Sequence, residues 1–288
     1  MVSNIIKTSK KGRILVISEQ SLLGLMTAKL GAANVIHICE NNSNMRDYIL
    51  QCAVQNSVED RLSLQSVEWL TNTDLGSSVS AVIGEPHFTV SVLPWHNLLF
   101  WFIISRLSLP DTVKISPCRA RLFMIPVHYV DLWKIRAPLH QVEGFKMKHF
   151  DKIIEAASNI SDSNVEPHPL WEYPNIALAE PVQICELDLT EKVPDHPLHY
   201  SGEIMINNQS LALNGVALWM EWSLDESGDN VLSSGPVSST SVGHKIHWDM
   251  DSKQGVSFLT PAQDCTKLKY EVDFVPSEGD FTFKFDQL

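Results

Sequence analysis

Apolar residues recur with two different periods along this chain, and the change between them limits its possible folds more than any other feature. In the first half, short apolar runs at Ile14–Ile17, Val35–Cys39, Leu62–Leu64 and Val79–Ile83 read as strands. Between them lie stretches with apolar residues at helical spacing: Leu22, Leu25, Met26 and Leu30, then Met45, Tyr48, Ile49, Cys52 and Ala53. Strand–helix–strand at this pitch predicts βαβ units and a parallel, doubly wound, Rossmann-like α/β sheet. Right-handed crossovers then put any ligand at the carboxyl ends of the strands, in the loops after Ile17, Cys39 and Ile83. From about Leu93 to Arg106 a helix is apolar nearly all round (Trp95, Leu98, Phe100, Trp101, Ile104), which predicts burial. Beyond residue 165 the period becomes two, as in Lys267–Phe274 and Phe281–Phe285, with turn chemistry at Asn207-Asn208, Ser227-Gly228-Asp229 and Glu278-Gly279-Asp280. This half is predicted to be all-β, a sandwich or a barrel. Val165–Pro174 holds Pro167, Pro169 and Pro174, which discourage regular structure, so the expected division is 1–165 and 166–288.

Composition narrows the function classes. Lys and Arg number 22 against 34 Asp and Glu, a formal charge of −12, which disfavours direct nucleic-acid binding and suits a basic partner. The 13 glycines never fall within six positions of one another, so GxGxxG, the Walker loop and the Gly-x-Ser-x-Gly elbow are all absent. Five single cysteines (Cys39, Cys52, Cys118, Cys185, Cys265) form no CxxC pair and predict reduced thiols in the cytoplasm or nucleus. The longest strongly apolar run, Leu98–Ile104, is too short to span a bilayer, and Ile14–Ile17 is too short for a signal core, so neither membrane nor secretion is expected.

Several residues stand where chemistry is usual. Glu40 ends the second strand, a place where an acid accepts from ribose hydroxyls; taken alone, a solvated loop carboxylate is the favoured account, because surface Glu is common. After the first strand, Ser18, Gln20 and Leu22 put side chains where a cofactor loop needs glycine, and Ser21 suits a helix cap. Glu85 follows the fourth strand, where a carboxylate can hold a guanidinium, although two carboxylates hold that planar fork better than one. The spacings His196/His199 and His244/His247 do not share a strand face and lack a third ligand, so no metal is expected. Trp219, Trp222 and Trp248 are expected to pack the barrel core.

Taken together, these segments resemble the C-terminal half of the two-module, type III protein arginine N-methyltransferases. The resemblance runs from Arg13 onward and rests on Val82–Phe88, Leu93–Leu98, Glu166–Pro174 and Leu218–Trp222, the last two being specific to that group. It implies a Rossmann-like methyltransferase fold followed by a β-barrel. It also implies vestigial sites. The family's V-L-D-x-G-x-G-x-G motif has Val16 for its Asp and Ser18, Gln20 and Leu22 for its glycines, while Gly31-Ala32 and the ribose-binding acid Glu40 are kept. The first substrate-gripping glutamate matches Glu85, and the second falls on Pro94. The threonine-histidine-tryptophan loop matches Ile246-His247-Trp248, without its Thr. The family's lid helix before the first strand is expected to have no room ahead of Arg13.

The resemblance therefore implies a pseudo-methyltransferase module, itself without catalytic or cofactor-binding capacity. Its partner would be an N-terminal catalytic module using S-adenosyl-L-methionine to monomethylate Arg-rich proteins such as histones. Rival readings are a free-standing binder of basic peptides and an active methyltransferase with an unorthodox loop. A docking arm is expected near 150–171, where Phe150, Ile153, Ile154 and Ala157 share one helical face that must bury either on a partner or on the chain's own core.

Overall fold

In the computed structural model the described residues are 3, 5–6, 12–19, 21–39, 43–75, 78–135, 139–161 and 163–288. The first half forms a five-stranded parallel sheet in the order β3-β2-β1-β4-β5, built from β1 (Arg13–Ile17), β2 (Val35–Ile38), β3 (Leu62–Gln65), β4 (Val79–Gly84) and β5 (Lys114–Ser116). Its central strands β1, β2 and β4 are buried on both faces, which is why they appear in the sequence as unbroken apolar runs. Alternate residues of β1 feed two layers. Ile14 and Val16 pack with Leu25 and Ala28 of α1 (Leu23–Lys29) and with Ile49 and Ala53 of α2 (Ser43–Gln55). Leu15 and Ile17 face the larger core instead. Gly31, at φ +106°, ends the α1 turn in a conformation that glycine adopts without strain. Ile5 and Ile6 are helical and buried against the first layer, so helical residues do precede β1, contrary to expectation.

The larger core joins the two halves of the chain. The short α3 (Val67–Thr71) follows β3, and a 3-10 turn (Pro94–Leu98) leads into α4 (Leu99–Ser105). Phe100, Trp101 and Ile104 of α4 lie in one apolar cluster with Leu15 and Val82 below and Leu122, Val216 and Phe274 above. The apolar-all-round reading of this helix is thus explained by its place between two sheets.

The change from parallel to antiparallel pairing comes between Ser116 and Arg119, well before the change of texture near residue 165. The reason is β6 (Arg119–Tyr129), which pairs with β13 (Leu213–Ser223) at the centre of a seven-stranded sheet. That sheet also holds β9 (Glu166–His168), β10 (Asn175–Ala177), β11 (Val182–Asp188), β14 (Val231–Ser233) and β15 (Gln254–Ala262). Between β6 and β9, a hairpin of β7 (Gln141–Val142) and β8 (Phe145–Lys146) leads into α5 (Lys148–Ser161). A three-stranded sheet of β12 (Leu198–Met205), β16 (Lys267–Val275) and β17 (Asp280–Gln287) completes the barrel half. The proline-rich crossing is partly regular: β9 contains Pro167, tolerated because β9 is an edge strand paired only with β15. The three tryptophans do not make one cluster. Trp219 meets Trp248 edge-on at 5.7 Å, whereas Trp222, three residues along β13, faces the larger core.

Candidate functional site

The order β3-β2-β1-β4-β5 reverses its winding between β1 and β4, and a doubly wound sheet opens a cleft at the carboxyl end of that switch point. Here the cleft is bounded by Ile17, Ser18 and Glu19 after β1, Ile38 and Cys39 at β2, Phe88 after β4, and Leu99, Phe102 and Ile103 of α4. What remains of it is about 160 Å³, lined mainly by hydrocarbon. Small-molecule sites usually offer roughly 300–1,000 Å³.

Beside the cleft, Ser18 reaches a buried polar partner on β2. Ser18 Oγ lies 2.9 Å from Nε2 of His37, and Ser21 Oγ donates to Ser18 Oγ at 3.0 Å. Ser21 also accepts from the Leu23 N–H at 3.2 Å, but the N-cap of α1 is Leu22, so Ser21 stands one residue ahead of the expected cap position. His37 is fully buried and its Nδ1 has no hydrogen-bond partner among the described residues. The ring lies so close to Gly24 that a Cβ there would stand 2.5 Å from Nδ1, which explains a glycine inside α1. Burial pushes the His37 imidazole down to about 4, against the opposing effect of Ser18. The unfolded chain takes up this proton near pH 6.5. Stability from the neutral ring is therefore complete above that pH and is lost as the pH falls towards 4. The expected contribution is about 3 kcal/mol. Urea titrations at pH 7 and pH 4 check it: the loss of unfolding free energy should be smaller by that amount in His37→Gln, and an equal loss in both proteins refutes it.

The residues expected to fill the cofactor space behave unequally. Ser18 lines the cleft, Leu22 is 44% exposed and points away from it, and Gln20 and Glu40 lie outside the described residues. The sequence reading missed the main filler, Phe88, which is 2% exposed with its N–H on Asn97 Oδ1 at 3.0 Å. Of these residues, Ser18 and Phe88 line what remains of the cleft.

Glu85 sits just beyond β4, half-buried, with its backbone N–H on Ile17 O at 3.2 Å. Pro94 begins the 3-10 turn and is buried, so the second grip position carries neither charge nor exposure. Trp248 donates through Nε1 to Asn175 Oδ1 at 3.0 Å in the barrel core, while His247 is exposed. Among the described residues no hydrogen bond or ion pair joins Glu85 to His247 or Trp248. His196 and His199 pair separately with Asp195 and Asp273, and no metal-binding group of His, Cys, Asp and Glu occurs among the described residues.

A second feature stands out from the body of the protein. The β7–β8 hairpin and α5 are exposed almost throughout, and Asp151 fastens them together by accepting from the N–H groups of Leu139 (2.7 Å) and His140 (3.1 Å). Phe145, Phe150, Ile153 and Ile154 all face solvent, Ile153 at 55%. The α5 stripe therefore does not cover the chain's own core. Further exposed apolar residues lie on and beside α1 and α2: Leu22, Met26, Leu30, Tyr48, Leu50 and Val54. Such apolar surface on both an arm and a helical layer marks an interaction site.

Comparison with known proteins gives a consistent result. Residues 118–286 match the profile of the arginine methyltransferase oligomerization subdomain. Protein arginine N-methyltransferase 7 of Drosophila pseudoobscura pseudoobscura is 38% identical over 283 residues, covering 96% of this chain. The chain spans 40% of the length of that relative. Among solved structures, a crystal structure of PRMT6 aligns over 100% of this chain and 95% of its own at TM-score 0.60 and 17% identity. The Trypanosoma brucei PRMT1 enzyme–prozyme heterotetrameric complex with AdoHcy aligns over 99% and 88% at TM-score 0.66 and 13% identity.

Proposed function

This chain belongs to the arginine methyltransferase family, and from that premise we propose that it is a non-catalytic methyltransferase module that pairs with, and supports, a catalytic one. The observation that carries the reading is the combination of a cleft filled by Phe88 with an exposed arm and an exposed outer face on α1 and α2. The relative in Trypanosoma brucei is a complex of an enzyme with a prozyme, and this chain is read as the counterpart of a supporting partner. The catalytic module would use S-adenosylmethionine to monomethylate arginine in basic proteins such as histones, and the acidic surface of this chain suits such substrates.

Two measurements test the reading. Titrating the isolated chain with S-adenosylmethionine is expected to give no saturable heat, because the cleft lined by Ser18 and Phe88 keeps only about 160 Å³; a one-to-one isotherm overturns it. Sedimentation of the chain mixed with the separated catalytic module is expected to show a complex.

The vestigial grip on arginine leads to a second expectation. With Pro94 in place of a carboxylate, a desolvated guanidinium at Glu85 would be half paired, and breaking a buried ion pair costs about 3–5 kcal/mol. Glu85→Gln in the complete enzyme is thus expected to leave methyl transfer to an Arg-rich peptide nearly unchanged. A loss beyond about a hundredfold, with the fold intact, would make Glu85 catalytic.

A further inference from the structure

The loop from β4 to the 3-10 turn, residues 85–93, crosses the open side of the cleft and is fastened at both ends and in the middle. At its start the Glu85 N–H donates to Ile17 O at 3.2 Å. At its end His96 Nδ1 accepts from the N–H groups of Val92 (3.2 Å) and Leu93 (3.3 Å). In the middle, one carboxylate oxygen of Glu19, Oε2, accepts from both the N–H and the hydroxyl of Thr89, at 2.7 and 2.6 Å. Glu19 follows β1, so this contact ties the loop across the mouth of the cleft. The residue before it, Phe88, turns inward and is buried in the core with Ile17 and Ile103. Its neighbours Thr89 and Val90 are exposed.

We propose that residues 85–93 form a strap that narrows the cleft, with Glu19 as its latch at Thr89 and Phe88 as the side chain it holds in the cleft wall. The supporting-module reading says only that no cofactor is used; the strap states what keeps the cleft narrow, and it rests on the cleft geometry alone. Charge-assisted bonds to a carboxylate are the stronger kind, and here two of them converge on one residue. The latch lies at the solvent edge, whereas Phe88 lies in the core. Releasing the first frees the second without disturbing the sheet, and uncovers the apolar wall of Ile17, Ile38, Leu99 and Ile103. While the latch holds, α4 and the ends of β1 and β2 keep one arrangement whether or not cofactor is present in solution.

Hydrogen exchange in the isolated chain tests the latch. In Thr89→Val, which removes the hydroxyl donor, and in Glu19→Gln, which removes the charge, amides of residues 87–92 are expected to exchange at least tenfold faster. Amides of β6 and β13 should keep their wild-type rates, and Thr89→Ser should restore slow exchange in the strap. Unchanged strap exchange in both variants overturns the proposal, and so does an equal rise in β6 and β13, which would mean general loosening. Phe88→Ala tests the cleft wall separately: it should take up 1-anilinonaphthalene-8-sulfonate saturably at neutral pH with the latch intact, and failure to do so refutes the role given to Phe88.

Discussion

Replacing Trp95 by alanine is expected to lower the unfolding free energy by about 3–5 kcal/mol, the usual cost of deleting a buried aromatic side chain. For a chain of this size that corresponds to a fall of about 5–8 °C in melting temperature. Trp95 is fully buried, although it belongs to a short 3-10 turn beside the cleft. It enters the barrel half, with Phe281 edge-on at 6.1 Å and Phe283 at 5.2 Å, and its Nε1 donates to Asp280 Oδ1 at 2.5 Å. The fit at Gly255 is tight: a Cβ there would lie 2.8 Å from the indole. Burial pushes the Asp280 carboxyl up, but the hydrogen bonds from His96, the Phe281 N–H and Trp95 outweigh it and hold the group below the usual carboxylate range. Losing the indole therefore removes packing between the two halves and leaves a partly buried carboxylate one donor short. Trp95→Phe keeps most of the packing and is expected to cost about 1–2 kcal/mol, chiefly the unmade hydrogen bond. Denaturant titration of the three proteins decides it; an alanine variant within 1 kcal/mol of wild type, about one ordinary hydrogen bond, would show that the two halves do not depend on this contact.

How much of this was legible in the sequence depends on whether a residue's partner is near in the chain. The four parallel strands β1 to β4 and the helices α1 and α2 are visible because each buries its own continuous or periodic apolar set. Strand β6 is not, because Pro126 interrupts it and its pairing with Leu213–Ser223 is remote. The fold resolves that proline simply. Pro126 O accepts from the Leu178 N–H, so the missing N–H of Pro126 faces the gap where the neighbouring strand changes from β11 to β10. A central strand tolerates proline there because no acceptor is left waiting. At the cleft, the sequence places side chains at Ser18 and Leu22 but does not say which way each turns. Leu22 turned outward and Phe88 inward, and nothing in the local pattern distinguishes those directions. The α5 stripe shows the same limit: its period declared a buried face, while only the surrounding topology shows that no part of the chain's own core reaches it.

That stripe sets the second large effect. Changing Ile153 and Ile154 together to aspartate is expected to weaken association, whether with a second copy or with the catalytic module, by more than a hundredfold, about 2.7 kcal/mol. Each isoleucine offers a large exposed apolar surface, worth about 1.5–3 kcal/mol when fully buried, and an aspartate in its place adds a charge that must be desolvated. In the unpaired chain both side chains already face water, so the melting temperature should move by no more than about 2 °C, from the lower helix propensity of aspartate. The receiving surface supplies an independent check. If the arm docks on the outer side of α1 and α2, Met26→Asp should weaken association comparably, since Met26 is 57% exposed there with Leu22 and Leu30 beside it. In a two-fold symmetric dimer of this chain the arm and its receiving face meet twice, so combining the arm and Met26 changes should cost little more than either alone. Sedimentation velocity across a concentration series measures all three. Association that survives the arm variant would show that Ile153 and Ile154 take no part in the partnership, and an arm variant that unfolds would show that they support this chain's own fold.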